Sequence, residues 1–114
     1  MRIVGLARNP RRRSSEFSAG RPCDWRPHLT DSRLDPAYRF TPAGAWEFIA
    51  AHVEAGGDLY LTELQKPKGR LAYVIFIAPS SSWRGVYVKF EITHPGLYGR
   101  SFHHPERPTL EVTT

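Results

Sequence analysis

The sequence predicts an α+β domain with an N-terminal basic arm, in which one main helix packs on an antiparallel sheet of about four strands. An apolar stripe with helical spacing occupies the middle of the chain, and four segments rich in β-branched and aromatic residues follow it. The connections between these segments are only a few residues long, so neighbouring strands should be joined as hairpins. A chain of 114 residues has the length of one domain.

The first 35 residues differ in composition from the rest of the chain. Large aliphatic side chains are few there, and glycine and proline interrupt any periodicity. Four arginines lie close together, at Arg8, Arg11, Arg12 and Arg13. Basic arms of this kind are usually solvated, and some fold onto phosphates. We therefore predict a basic, partly flexible arm over residues 1–35 and a folded domain over residues 36–114.

The main helix is predicted to begin at Pro42. Thr41 is a good N-cap, and proline fits the first helical position because its missing N–H needs no partner there. The apolar stripe consists of Ala43, Trp46, Ile49, Ala50 and Val53. Gly56 and Gly57 should end the helix, since glycine adopts the left-handed capping conformation without strain.

Four strands are expected over residues 58–65, 71–78, 86–93 and 97–103. The second is almost entirely apolar, as in a strand that is covered on both faces. The third alternates, with Val86, Val88, Phe90 and Ile92 on one face and Tyr87, Lys89, Glu91 and Thr93 on the other. In this interpretation the apolar set faces the helix and the polar set faces water.

The composition narrows the class of protein. The net charge of +5 and the pI of about 9.8 suggest an anionic partner, although a basic surface can also serve solubility alone. The single cysteine, Cys23, excludes an internal disulfide, and the Cys/His spacing is not that of a zinc site. No apolar run is long enough to cross a membrane. We expect a cytoplasmic protein without metal or cofactor.

One polar strand face could carry chemistry. Tyr87 and Lys89 share that face, and Ser101 and His103 alternate onto one face of the next strand, which a hairpin would bring alongside. Arg70 begins the second strand. Cleavage of RNA through the 2′-hydroxyl needs a group that accepts a proton, one that donates a proton and cations for the phosphate, and these residue types provide them. A solvated strand face would look the same.

Several segments together resemble the MqsR-like toxins of bacterial toxin–antitoxin systems, which are members of the RelE-like superfamily. The order is a helix beginning FTPAGAWEFIA, then GGDLYLTEL, KPKGRLAYVIFI, VYVKFEIT and GRSFHHPE. The resemblance covers residues 36–106 and leaves the basic arm outside it. Its most specific parts are VYVK at residues 86–89 and SFHH at residues 101–104.

The resemblance implies a RelE-like fold and an mRNA endoribonuclease that inhibits translation. Tyr87 matches the active-site tyrosine of the family, His103 stands where MqsR has a lysine, and Arg70 takes the place of a polar glutamine. A further lysine of the family is matched by Leu61. The implied partners are mRNA, free or on the ribosome, and a cognate antitoxin that binds DNA. RNA contacts are assigned to Lys66, Lys68, Lys89, Arg100, Arg11, Arg12 and Arg13.

Two other readings of the same residues stay open. The arm and the basic strand face could grip a nucleic acid without cutting it, as a non-catalytic binding module. The basic surface could also bind an acidic protein partner, which would make the chain a protein-interaction domain.

Overall fold

The computed structural model describes residues 2–15, 23–31, 39–64, 69–81, 83–93 and 96–106, and structural statements refer to these residues. The helices are α1 (Arg2–Ala7) and α2 (Pro42–Glu54), and short 3₁₀ turns cover Pro10–Arg12 and Pro27–Leu29. The strands are β1 (Arg13–Ser14), β2 (Asp24–Trp25), β3 (Tyr60–Glu63), β4 (Leu71–Ile77), β5 (Val86–Ile92) and β6 (Leu97–His103). The predicted α+β class is confirmed at this level.

The sheet has six strands, so the expectation of about four strands is wrong in number. Strands β3 to β6 form the predicted antiparallel meander, in the spatial order β6-β5-β4-β3. Strands β1 and β2 both pair with β6, and both run parallel to it. Each of these two strands is only two residues long. A strand of that length contains no detectable alternation, because one period already fills it.

Helix α2 has the predicted start and end. The Thr41 side chain caps the helix by accepting a hydrogen bond from the backbone N–H of Gly44, and Gly56 follows the helix with a φ of 78°. Of the predicted stripe, Trp46, Ile49, Ala50 and Val53 are buried, whereas Ala43 is exposed and Ala45 is buried in its place. Neither this helix nor any other in the described residues is long and apolar enough to cross a membrane.

The core lies between α2 and one face of the sheet. Val86, Val88, Phe90 and Phe102 have no exposed side-chain surface, which confirms the predicted inward set of β5 apart from Ile92, which is half-buried. The ring of Phe102 makes edge contacts with three other aromatic rings, those of Trp25, Phe40 and Phe48. Trp25 comes from β2, so the N-terminal region contributes to the core.

The described parts of the N-terminal region pack on the domain. Helix α1 lies against α2 and buries Ile3 and Ala7. Arg8, which follows α1, contacts two carboxylates of α2, at 2.9 Å to Glu47 and 3.0 Å to Glu54. The pKa values of both carboxyl groups are lowered by these hydrogen bonds from Arg8. Residues 16–22 and 32–38 of the predicted arm and its junction lie outside the described residues.

A β-bulge interrupts the pairing of β5 with β6. Lys89 pairs with Ser101 but Phe90 pairs with Gly99, so Arg100 is an extra residue on β6. The guanidinium of Arg100 lies 2.9 Å from the carboxylate of Glu91. Glu91 has no exposed surface, so the expectation that it faces water is wrong. The reason is its partner, because a paired carboxylate tolerates burial that an unpaired one does not.

Candidate functional site

Tyr87 and His103 are directly opposite each other on β5 and β6. Their rings are nearly parallel, with centroids 5.3 Å apart and an angle of 21° between the planes. They lie on the outer face of the sheet, which is the face turned away from α2. The sequence indicated that a hairpin could bring these two side chains together, and the register of β5 with β6 does so.

The imidazole of His103 is held in one orientation. Its Nδ1 lies 2.7 Å from the backbone carbonyl oxygen of His104, and a carbonyl can only accept, so Nδ1 donates. In neutral His103 the lone pair is then on Nε2. That atom lies 3.6 Å from Oδ2 of Asp24, whose carboxylate is itself paired with Arg26 at 2.6 Å. The side chain of His103 is 14% exposed, so it is accessible along one side.

Lys89 stands two residues along the same face from Tyr87 and pairs in register with Ser101. It is half-buried, and within the described residues its ammonium group has no hydrogen bond or ion pair. Burial lowers the pKa of Lys89, and the nearby charge of Arg100 lowers it further. Burial also raises the pKa of Tyr87, so its phenol keeps its proton at neutral pH. An anion beside Lys89 would relieve the cost of burying this cation.

An open cleft of about 400 Å³ lies next to His103. Three parts of the chain line it: the segment after β2, the β4–β5 connection and the end of β6. The lining residues are Arg26, Leu29, Thr30, Arg84 and the run His103, His104, Pro105 and Glu106. The cleft therefore combines two guanidinium groups, one carboxylate, an accessible imidazole and an apolar wall.

His104 has a structural role, unlike its neighbour. Its Nδ1 donates to the carbonyl oxygen of Gly85 at 2.7 Å, and its Nε2 accepts from the backbone N–H of Asp31 at 3.0 Å. Its side chain is 8% exposed. His104 is therefore not an ordinary surface histidine. It joins three segments of backbone, and both of its ring nitrogens are already used.

Two cations that the sequence assigned to the site lie elsewhere. Arg100 is buried and Arg70 is exposed, and both contact Glu91, at 2.9 Å and 3.5 Å. Glu91 is four residues along β5 from Tyr87, which is about 13 Å at the rise of a strand. The catalytic assignment of Arg70 does not fit this position. The assignment of Arg100 to RNA binding does not fit its burial.

The other assigned cations are spread along the N-terminal region and the β3–β4 connection. Arg11 and Arg12 are exposed in the 3₁₀ turn that precedes β1. Arg13 is half-buried, and its guanidinium donates to the carbonyl oxygen of Ala7 at 2.6 Å, which gives it a structural task. Lys66 and Lys68 lie outside the described residues. Leu61, at the position of a family lysine, is 53% exposed on β3.

One group of side chains in the described residues could hold a metal ion. The ligand atoms of Asp24, His103 and Glu106 lie within 4.8 Å of one another. Both oxygens of Asp24 already contact Arg26, at 2.6 Å and 2.9 Å, and a guanidinium at this distance opposes a second cation. The group is not evident from the sequence, because Asp24 comes from a segment far along the chain from His103 and Glu106.

Sequence reasoning missed the residues that surround His103. Asp24, Arg26, Arg84 and Glu106 all lie in loops or in a two-residue strand, where no periodicity marks them. The only available signal was the position of Arg84 between Trp83 and Gly85, two residue types that often fix a loop.

Comparison with known proteins identified no relative. No family model matches the chain, and neither a curated protein nor a solved structure is significantly similar to it.

Proposed function

We propose that this chain is a metal-independent endoribonuclease of the MqsR/RelE type, the toxin of a toxin–antitoxin pair that inhibits translation by cutting mRNA. The observation that carries the proposal is the state of His103. Its Nδ1 is fixed by a backbone carbonyl, which leaves Nε2 as the acceptor nitrogen of the neutral ring, and the ring borders a cleft with guanidinium groups. An oriented proton acceptor beside cations is what cleavage of a phosphodiester requires.

In the proposed reaction, Nε2 of His103 takes the proton from a ribose 2′-hydroxyl. The 2′-oxygen attacks the adjacent phosphorus, and the bond from phosphorus to the 5′-oxygen breaks. The products are a 2′,3′-cyclic phosphate and a new 5′-hydroxyl, which receives its proton from an acid in the site. Asp24, with Oδ2 3.6 Å from Nε2, stabilises the imidazolium that forms.

Tyr87 supports His103 in this scheme. Its ring packs alongside the imidazole, and its phenol stays protonated because burial raises its pKa. It can therefore donate a hydrogen bond or a proton to the leaving oxygen. Lys89 lies on the same face, and its ammonium group has no partner among the residues that the structure describes, so it would neutralise the charge that develops on the phosphorane.

The toxin part of the proposal rests on the resemblance of residues 36–106 to MqsR-like chains. It carries with it a cytoplasmic site of action, mRNA as substrate and a cognate DNA-binding antitoxin as partner. A gene for a small antitoxin directly beside this one would support that part independently of the chemistry.

A non-catalytic RNA-binding module is the second candidate. The exposed arginines Arg11 and Arg12 favour it, because they lie in the turn before β1 and would contact phosphates without taking part in a reaction. The two candidates differ in what the loss of His103 should do.

The test is cleavage of a purified oligoribonucleotide by the parent protein and by His103→Ala. The substitution removes the proton acceptor, so the rate should fall by about 10²- to 10⁴-fold while RNA binding changes little. Tyr87→Phe should keep the packing of the rings and show what the hydroxyl contributes. His28→Ala is the matched control, since His28 is an exposed histidine that does not line the cleft.

The same variants should behave in parallel in cells. Induction of the parent should stop growth and fragment mRNA, and His103→Ala should remove both effects. A folded His103→Ala protein that cuts RNA at the parent rate would contradict the assignment of His103. Binding without cleavage by the parent would favour the binding module. EDTA should leave the rate unchanged, and a rate that fell with EDTA and returned with a divalent cation would point to Asp24, His103 and Glu106 as metal ligands.

A further inference from the structure

The β4–β5 connection holds Arg84 between two anchored residues. On one side, Trp83 is 7% exposed, and its indole N–H donates to the backbone oxygen of Asp31 at 2.9 Å. On the other side, the carbonyl oxygen of Gly85 accepts from Nδ1 of His104 at 2.7 Å. Gly85 has a φ of 78°, a conformation that favours glycine. The backbone at Arg84 is therefore fixed on both sides.

The side chain of Arg84 is exposed and lines the cleft, and in the described residues it has no hydrogen bond or ion pair. Other arginines of the fold are engaged: Arg8 by two carboxylates of α2, Arg26 by Asp24 and Arg100 by Glu91. A guanidinium on a fixed backbone needs little reorganisation to bind an anion. Arg84 is thus the cation of the cleft that is available to a ligand.

The other residues that line the cleft indicate the chemistry of its ligand. Leu29 is 53% exposed there and, with Pro105, provides an apolar wall on which a flat ring can pack. Glu106 also lines the cleft, and its negative charge opposes the binding of an anion. A simple anion would therefore bind more weakly than a ligand that has a phosphate at one end and an uncharged group at the other. The volume of about 400 Å³ is within the range of sites for one small molecule.

We propose that this cleft is a subsite for one nucleotide of the RNA, next to the bond that is cut, in which Arg84 binds the phosphate and Leu29 packs against the base. The inference rests on the proposed function, since it takes RNA as the ligand. It makes Arg84 a positioning residue, because the guanidinium holds a phosphate beside His103 and takes no part in proton transfer.

The experiment is a titration of the full chain with uridine 5′-monophosphate and with uridine, followed by NMR. The parent should bind the nucleotide more tightly than it binds uridine. The resonances that shift should include those of Leu29, Thr30 and Arg84. Arg84→Ala should weaken nucleotide binding by about 10- to 100-fold, the value of a charge-assisted hydrogen bond, and leave uridine unaffected. Glu106→Gln should strengthen nucleotide binding, because it removes the opposing charge.

Arg39→Ala is the control, since Arg39 is an exposed arginine that does not line the cleft. In the cleavage assay, Arg84→Ala should raise KM and change kcat little. Equal affinities of parent and Arg84→Ala for the nucleotide, together with an unchanged KM, would overturn the subsite while cleavage by the parent upheld the ribonuclease. Inorganic phosphate binding as tightly as the nucleotide would overturn the role of Leu29 and with it the nucleotide subsite. Absence of RNA cleavage by the parent would overturn the proposed function, whatever the mononucleotide titration gave.

Discussion

The outer face of the sheet carries charged residues at both of its ends, but the two ends differ in how the charges are compensated. Beyond the bulge, Glu91 is enclosed by Arg100 at 2.9 Å and Arg70 at 3.5 Å. On the near side, Lys89 is half-buried and has no anionic partner within the described part of the chain, and His103 borders an open cleft. Compensated charges hold the fold together, whereas an uncompensated charge is available to a ligand.

The bulge at Lys89 and Phe90 marks the boundary between these ends. Because of the bulge, Arg100 is an extra residue on β6 and its guanidinium lies beside Glu91. Regular alternation would direct this cation elsewhere. The side of the bulge that contains Tyr87 and His103 keeps regular pairing. Substitutions on the two sides should therefore affect different properties, stability on one side and RNA chemistry on the other.

The largest effect on stability is expected from Glu91→Ala. This change leaves Arg100 buried without its carboxylate, and breaking a buried pair costs about 3–5 kcal/mol of the free energy of unfolding. Urea unfolding followed by circular dichroism measures it. The double variant Glu91→Leu with Arg100→Met should recover most of the loss, because it removes both charges together. A loss below about 1 kcal/mol would mean that the pair behaves as a surface pair and that the two ends are not distinct.

Lys89→Met should act in the opposite direction on stability. Because this half-buried cation is unpaired in the segments that the structure describes, its removal should raise the free energy of unfolding by about 0.5–2 kcal/mol. It should also weaken RNA binding and reduce the slope of log affinity against log salt by about 0.7, the value for one phosphate contact on a single strand. A destabilised variant with unchanged RNA affinity would contradict the functional interpretation of this end.

The pH dependence of stability provides an independent check on Lys89. Its pKa in the folded protein is lowered, so between that value and the unfolded value of about 10.4 the folded state binds fewer protons than the unfolded state. The contribution of Lys89 to the free energy of unfolding should therefore rise with pH in that range. It should be lost as the pH falls through the pKa of Lys89 in the folded protein. Unfolding curves of the parent and of Lys89→Met should converge at alkaline pH.

The smallest effect is expected at a third charged region, the contact of Arg8 with Glu47 and Glu54. These carboxylates are exposed, and their pKa values are lowered in the fold by Arg8. Their contribution is present above the ordinary value of about 4.3 and is lost as the pH falls through the folded values. The protection factors of the α1 amides, which correct for the pH dependence of intrinsic hydrogen exchange, should fall at acid pH, and Glu47→Gln with Glu54→Gln should remove this fall. Protection factors that do not change with pH would show that burial of Ile3 and Ala7 alone holds α1.

Periodicity in the sequence was enough to predict α2 and strands β3 to β6, because each is long enough to show a stripe or an alternation. It was not enough for β1 and β2, whose two-residue pairings depend on a distant strand. Alternation placed Tyr87, Lys89 and His103 correctly relative to one another. It failed for Glu91 and Arg100, since a bulge changes the parity of a strand and leaves no mark in the composition.

The residues that surround His103 could not be predicted from the sequence. Asp24 reaches it from β2 and Arg84 from the β4–β5 connection, and only tertiary structure brings such distant segments together. The sequence thus indicated a histidine and a tyrosine on a basic domain, but not the carboxylate beside the histidine or the cleft. RNA cleavage and the antitoxin partner remain predictions.

The parallel pairing of β2 with β6 has a consequence for the order of events during synthesis. Residues of the segment after β2 find their partners late, as with Asp31 and His104, which are 73 residues apart. A ribosome adding about 5–20 residues per second needs about 4–15 seconds to make that stretch. Until β6 has been made, Asp24 has no histidine beside it and Arg84 has no cleft to line. A nascent chain of this protein is thus without its candidate site until His103 and the residues that follow it have been made.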